Sequence, residues 1–306
     1  MEIIVYLFAF IFGACLGSFL CCQARRLHLR QAKSHRKPSS QSAHKSTASR
    51  PSKLPRRSIC LHCHRQLAWY DNIPLISWLV LRGKCRHCHR PIGLAEFLSE
   101  LGTGAALVGV STAFCQSLCG TSGLTIFGAF PPQDATVTLC TASPLNYIIL
   151  AIIALLTILL IFLAIYDGLY GELPNFGLIL AIILGLVVVI LRVCTSLALS
   201  PFSPDLILYP LFATLILGGL YLLLYLLSHG RWVGDGDWLL ATAIALILGH
   251  PILALVALFL ANFLACFIML PATRGNTRAK IHFGPFLVAA FVLVCSFSHY
   301  FIMIML

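Results

Sequence analysis

Two aspartates lie at the ends of long apolar runs in a chain that has only 10 acidic residues. Asp167 closes the run in AIYDGLYGELP, and Asp237 opens the run in WVGDGDWLL. A charged side chain near hydrocarbon is costly unless it faces a cavity or a partner, so each acid is a functional-site hypothesis. Each Asp would also suit a simple cap at a helix N-terminus. Because two such acids occur in one chain, we expect acid chemistry at a membrane boundary.

Four cysteines form a second pattern with chemical meaning. Cys60, Cys63, Cys85 and Cys88 make two C-x-x-C pairs separated by 21 residues, a spacing typical of a four-cysteine zinc site. A histidine follows each pair, so the sequence also fits the C-x-x-C-H pattern of covalent haem, and a metal-free dithiol pair is a third alternative. Covalent haem is attached outside the cytoplasm, whereas the basic residues around these cysteines indicate the inside. We therefore predict zinc, which would order a segment too small to fold alone.

The elements that carry these residues are predicted to be membrane helices. Of the 306 residues, 59% are hydrophobic and only 10% are charged, far below the usual quarter in soluble domains. Runs of about 18 or more apolar residues are typical of transmembrane helices. The sequence thus predicts an all-α polytopic membrane protein with about eight spans. These are 3–23, 94–114, 145–166, 176–194, 206–227, 237–249, 251–270 and 286–306.

The basic residues predict the orientation, because Lys and Arg accumulate on the cytoplasmic side of membrane spans. Residues 24–94 contain 16 of the 21 Lys and Arg residues. Eight spans then put both termini outside, and they put Asp167 and Asp237 at the cytoplasmic face. The net charge of +11 is explained by topology, so we expect the lipid bilayer and no nucleic acid as a partner.

Composition also divides the chain into regions. The stretch between the first two spans begins with a basic arm that has almost no apolar residues, which predicts disorder. The predicted regions are the first span (1–23), the basic arm (24–57), the zinc module (58–93), the second span with an outside loop (94–144) and six further spans (145–306). Three cysteines fall in the outside loop, where a disulfide is possible but its pairing cannot be read from the sequence. They are Cys115, Cys119 and Cys140.

Further motifs accompany the acids and the cysteines. They are Gly17-Ser18-Phe19-Leu20, Tyr70-Asp71-Asn72-Ile73-Pro74, Gly234-Asp235-Gly236-Asp237 and Phe283-Gly284-Pro285-Phe286. In this order, and over nearly the whole chain, they resemble the type IV prepilin peptidases, which are membrane aspartic proteases of the GxGD class. One departure is Cys21, which stands where that family usually has Asn. The resemblance implies that Asp167 and Asp237 are catalytic and that Gly234 and Gly236 support the second acid.

The resemblance implies an aspartic endopeptidase that cleaves the leader of type IV prepilins and pseudopilins after glycine, at the cytoplasmic face of the inner membrane. In such a dyad one carboxylate takes a proton from the attacking water, while the other carboxyl donates to the peptide carbonyl. Two close acids then share one proton. Many members of that family also methylate the new N-terminus with S-adenosylmethionine, and those members carry the zinc loop, so this second activity is expected by resemblance alone.

Three alternatives stay open. The first is a peptidase without methyltransferase activity, and the second is a proton-coupled transporter or an ion channel that uses the acids as a proton relay. Against the transporter, the acids cluster at one face and do not line a path across the membrane. The third is a scaffold without catalysis that is built around the zinc module.

Glu100 and Asp71 are further candidates for substrate binding or methyl transfer. Glu96 and Glu100 lie four residues apart on one helix face and so share an environment. We expect Glu100, the deeper one, to face a polar cavity and to serve the methyl-transfer or substrate site. For Asp71 the favoured interpretation is that it fixes a turn in the zinc module, with substrate binding as the alternative.

Overall fold

The computed structural model describes residues 2–34, 59–118 except 61 and 64, 144–199, 204–272 and 282–305. Most of these residues are helical, and their only β contacts are two isolated bridges, Ile59 with Gln66 and Lys84 with Pro91. The helices are α1 (Glu2–Ser34), α2 (Ile76–Val80), α3 (Leu94–Leu118), α4 (Pro144–Tyr170), α5 (Asn175–Leu199), α6 (Asp205–Thr214), α7 (Leu220–Ser228), α8 (Asp235–Leu248), α9 (Pro251–Ala272) and α10 (Gly284–Met305). A 3₁₀ turn covers Trp69–Asn72, and a π-helical turn, Leu215–Gly219, joins α6 to α7.

The prediction of an all-α polytopic membrane protein is confirmed. Among the described residues, five helical stretches are long and apolar enough to cross a membrane: Ile3–Gln31, Ala151–Tyr170, Asn175–Thr195, Asp205–Ser228 and Pro251–Met269. Gly284–Phe297 forms a shorter apolar helix. The eight predicted spans correspond in order to α1, α3, α4, α5, the joined α6 and α7, α8, α9 and α10. That α3, α8 and α10 also cross the membrane stays a prediction.

Several helices extend past the predicted membrane spans, α1 by 11 residues, because a helix can continue beyond its apolar run. α1 continues to Ser34, so the first part of the arm that was predicted to be disordered is helical. α3 continues to Leu118, which places Cys115 in a helix and not in the outside loop. α8 begins at Asp235, before the predicted start at Asp237. The rest of the arm, Cys119 and Cys140 lie outside the described residues.

The chain divides into two compact units, Phe10–Ala105 and a larger one that combines Met1–Ala9 with Ala106–Leu306. In the larger unit, α8 is enclosed by protein, because it packs against α5, α6, α7 and α10. Its 14 residues span about 20 Å, which is less than the hydrocarbon core of a bilayer. Its last nine residues, from Leu240 onward, are buried except Thr242. The helix that begins next to Asp237 is therefore a short core helix.

In the smaller unit, α1 and α3 approach each other at two glycines. A Cβ atom on Gly13 would lie 2.7 Å from the carbonyl oxygen of Thr103. One on Gly17 would overlap the carbonyl oxygen of Ser99. The two glycines are four residues apart, which is the spacing of small residues that lets membrane helices pack closely. This packing positions the ends of α1 and α3, between which the four cysteines lie.

Candidate active site and candidate metal centre

Asp167 lies in the last turn of α4 and is buried. Its Oδ2 atom accepts a hydrogen bond of 2.9 Å from the backbone N–H of Gly284, the first residue of α10. The N-terminus of a helix carries partial positive charge and unpaired N–H groups, so it stabilises a carboxylate in this place. A Cβ atom on residue 284 would lie 2.8 Å from the same oxygen. The glycine is therefore required for this contact.

Asp237 lies in the first turn of α8 and is half-buried. Its Oδ2 atom accepts a hydrogen bond of 3.1 Å from the backbone N–H of Gly234, which has an extended backbone and precedes the helix. Both acids thus make a capping contact with a helix N-terminus, Asp237 on its own helix and Asp167 on another. Capping and acid chemistry do not exclude each other, because a capped carboxylate is also a carboxylate held in a defined orientation.

Three loops bring the surroundings of the two acids together. A Cβ atom on Gly236 would lie 2.8 Å from the side chain of Leu173, which follows α4. Gly171, which has a φ of +67°, lies against the ring of His282 in the segment before α10. The N–H of Gly171 also donates to the carbonyl oxygen of Asp167 at 2.7 Å. The loop after α4 therefore contacts both the start of α8 and the start of α10.

Tyr221 of α7 is a polar residue of this region that the sequence analysis missed. Its buried ring lies 5.4 Å from the ring of Phe283, the residue before Gly284. The side-chain amide of Asn262 donates a hydrogen bond of 3.0 Å to its hydroxyl oxygen, and the Asp237 carboxylate interacts with that hydroxyl electrostatically. In the sequence, one Tyr inside an apolar run gives no signal. The adjacent π-helical turn Leu215–Gly219 is a feature often found at functional sites.

The four predicted metal ligands come together in the smaller unit. The Sγ atoms of Cys60, Cys63, Cys85 and Cys88 all lie within 4.8 Å of one another, and those of Cys60 and Cys88 are 3.8 Å apart. Zinc–sulfur bonds of about 2.3 Å in a tetrahedron place sulfurs about 3.8 Å apart. The cluster therefore has the donor type, number and spacing that zinc requires.

The two cysteine pairs have the same local structure. The N–H of Cys60 donates to the carbonyl of Arg65 at 2.9 Å, and the N–H of Cys85 donates to the carbonyl of Arg90 at 2.9 Å. Each loop is closed by one of the isolated bridges. Two equal turns that each present two sulfurs to a shared point are a common way to build a zinc site.

The thiols of the cluster affect one another. Burial raises the pKa of Cys60, but hydrogen bonds from the backbone of Cys63 and His62 and from nearby thiols outweigh it and lower that pKa to about 7. For Cys88 a backbone hydrogen bond from Arg90 lowers the pKa, whereas desolvation and the other three thiols raise it to about 11. Four adjacent thiols cannot all ionise without a cation, and a divalent metal would supply that charge.

Asp71 and Glu100 both hold parts of the zinc module. Asp71 lies in the turn Trp69–Asn72, and its side chain is 2% exposed. Its Oδ1 atom accepts a hydrogen bond of 3.0 Å from the guanidinium group of Arg86. Because Arg86 follows Cys85, this ion pair ties the turn to the second cysteine loop. Glu100 is buried, and its Oε2 accepts from the N–H of Leu75 at 2.7 Å. Leu75 has an unusual φ of 60°, and the carboxylate of Glu100 stabilises that turn.

The fold and these residues thus define a polytopic helical membrane protein that has a four-cysteine module and two aspartates that cap helix N-termini. Residues 11–114 match the family model described as Bacterial Peptidase A24 N-terminal domain. Three similar proteins each bear the name prepilin leader peptidase/N-methyltransferase. That of Myxococcus xanthus is 41% identical over 97 residues, 32% of this chain and 23% of the relative. That of Burkholderia pseudomallei is 28% identical over 152 residues, 44% of this chain and 49% of the relative.

The third relative, from Aeromonas hydrophila, is 28% identical over 240 residues, which is 76% of this chain and 69% of the relative. In the first two relatives, by contrast, the alignment spans less than half of the relative's own length. No solved structure is significantly similar to the chain. These matches confirm the resemblance to the type IV prepilin peptidases that the motifs indicated.

Proposed function

We propose that the protein is a membrane aspartic endopeptidase that cleaves the leader of type IV prepilins and pseudopilins after glycine. The observation that carries the proposal is that Asp167 and Asp237 are both held by backbone N–H groups, at helix ends whose loops are in contact. The names of the three relatives support the same substrate class.

In the proposed mechanism, the two carboxyl groups share one proton. The ionised group takes a proton from a water molecule as the oxygen of that water attacks the scissile carbonyl carbon. The protonated group donates its proton to the carbonyl oxygen. Collapse of the tetrahedral intermediate then breaks the C–N bond, with a proton passing to the leaving amine. Backbone hydrogen bonds at both acids support this function because they fix the carboxylates in orientation before substrate binds. Zinc, when bound by the four cysteines, would act on folding and not on the cleavage step.

The test is cleavage of a prepilin-like peptide by membranes that contain the wild type, Asp167→Asn or Asp237→Asn, with the new N-terminus identified by mass spectrometry. Both substitutions keep the side-chain shape but remove the ionisable group, so cleavage should fall to background. Asp205→Asn is the matched control, because Asp205 is also an acid in the first turn of a helix and is exposed. If either of the two variants cuts as fast as this control, the dyad is refuted.

The same products test the second proposed activity, N-methylation by S-adenosylmethionine. It is supported by the names of the relatives and by the presence of the zinc module, which contains Asp71 and is hydrogen-bonded to Glu100. The wild-type product should gain the mass of one methyl group when S-adenosylmethionine is added. A product that stays unmethylated would favour the alternative, a peptidase without methyltransferase activity.

We also propose that the protein lies in the inner membrane, with the zinc module and both acids on the cytoplasmic side and both termini outside. The support is the concentration of Lys and Arg in residues 24–94. A reporter enzyme that is active only outside the cytoplasm should work when fused after Leu306. An inactive fusion, with a fusion inside the zinc module active instead, would reverse the orientation.

A further inference from the structure

The short helix α2 of the zinc module presents an apolar surface that the module itself does not cover. Ile76, Leu79 and Val80 lie on one helix face and are all exposed, Val80 by 70%. Trp69, in the turn before this helix, is 80% exposed. We call these four residues the apolar face of the module. Large exposed apolar groups in one small module mark a surface that contacts something apolar.

The other side of α2 is attached to the first turns of α3. The ring of Trp78 packs on that of Phe97, with ring centroids 4.6 Å apart, and Glu100 accepts the N–H of Leu75. α3 begins at Leu94, so Phe97 and Glu100 lie about 5–9 Å along its axis. α2 is therefore held at the depth where α3 has already begun.

At this same depth α3 also exposes apolar side chains. Leu94, Leu98 and Leu101 follow one face of the helix, and all three are exposed. If α3 enters the bilayer as predicted, its lipid-facing surface starts in its first turns. Trp78 of α2 packs on Phe97, so the module is attached to α3 at this start.

The charge of the module completes the pattern. Residues 59–93 contain five basic residues and one acid, and that acid, Asp71, is paired with Arg86. The five are Arg65, Arg82, Lys84, Arg86 and Arg90. Tryptophan and basic side chains beside aliphatic ones are the composition of surfaces that lie in the boundary between lipid headgroups and acyl chains. Basic groups near that boundary are attracted by anionic headgroups.

We propose that the apolar face of the module, Trp69, Ile76, Leu79 and Val80, inserts into the headgroup boundary of the bilayer that holds α1 and α3. The occupant of this face is thus phospholipid, and the basic residues around it contact anionic headgroups. Through this contact the zinc module lies against the membrane surface and does not extend away from it. The proposal does not depend on the peptidase function.

The experiment measures tryptophan fluorescence of the full-length protein in nanodiscs of anionic phospholipid. The chain has four tryptophans, so the contribution of Trp69 is obtained as the difference between the wild type and Trp69→Phe. Lipids brominated near the headgroup end of the acyl chains should quench most of that contribution, while acrylamide in the water should quench little of it. Zinc content, equal in both proteins, shows that the module is folded.

A second variant separates insertion from simple proximity. Val80→Glu places an acid on the exposed face without disturbing a buried contact, so the module should stay folded and keep its zinc. Trp69 should then lose its quenching by brominated lipid and gain quenching by acrylamide. Two results for the wild type would overturn the proposal. If acrylamide quenches the Trp69 fluorescence fully, the face is in water. If neither quencher reduces that fluorescence, a protein surface covers the face.

Discussion

The zinc module and the acid site are built in different ways. The four cysteines come from two short loops with equal backbone hydrogen bonds, and all lie between residues 60 and 88. The acid site depends on a hydrogen bond between residues 117 positions apart, Asp167 and Gly284, and on contacts among three loops. One is therefore a local structure that a bound metal would stabilise, and the other is held by the packing of whole helices. This difference predicts which changes each site tolerates.

Removal of the metal should unfold the module and leave the acid site almost unchanged. Zinc-binding segments of this size lose their fold without metal, because ligand binding and folding are one step. We expect Cys85→Ser to abolish zinc binding and to make residues 59–93 sensitive to protease, while the thermal unfolding of the remaining helices is unchanged. Metal analysis and mass spectrometry of the fragments measure both effects.

The control for this prediction is Cys22→Ser, because Cys22 is a cysteine of α1 that is not part of the cluster. It should keep its zinc and its protease resistance. If Cys85→Ser also lowers the unfolding temperature of the helices by as much as it affects the module, the two regions are not independent in the way we describe.

Gly284→Ala tests the acid site through the contact between residue 284 and Asp167. The added methyl group would overlap the carboxylate of Asp167, so the acid must turn away or α10 must shift. A displacement of about 1 Å in a catalytic group can cost about 100-fold in rate, and we expect a loss of this order in kcat with zinc content unchanged. Gly102→Ala is the matched control, because nothing lies within 4 Å of its new methyl group. Equal activity of the two variants would contradict the contact.

Gly17→Ala should act on the packing of α1 and α3. Its methyl group would overlap the backbone of α3, and overpacking of this kind costs about 1–3 kcal/mol. We expect a lower unfolding temperature and weaker zinc retention, since α1 and α3 lead into and out of the module. Gly102→Ala, in the same pair of helices, should leave both quantities as they are. A Gly17→Ala protein as stable as this control would mean that the two helices separate easily.

The two regions also differ in how far the sequence could predict them. The cysteine cluster was predictable because each pair lies in one short loop, where the C-x-x-C spacing alone brings its two sulfurs together. The ends of the helices were harder to predict. α3 continues past its apolar run, and the hydrogen bond from the N–H of Gly234 to Asp237 caps α8 two residues before its predicted start. The role of Gly284 was visible only as part of a motif. The contact with Asp167 that explains it requires α4 and α10 to be packed together.

Tyr221 is the residue that no local pattern indicated, and it provides the mildest test of the acid site. Tyr221→Phe keeps the ring against Phe283 but removes the hydroxyl that accepts from Asn262. A hydrogen bond of this type contributes about 1 kcal/mol, so we expect a small loss of stability and a fall in kcat of up to about tenfold. KM should stay constant if the hydroxyl acts on catalysis through Asp237, with which it interacts electrostatically.

Asn262→Ala distinguishes a positioning role of Tyr221 from a purely structural one. It leaves the hydroxyl in place but removes the amide that fixes it. If the hydroxyl orients Asp237, both substitutions should lower kcat, and the double variant should be no slower than the slower single variant, because residues in one hydrogen-bond network are not additive. If the losses multiply, Tyr221 and Asn262 act separately. The acid site would then depend on fewer contacts between distant residues than we infer.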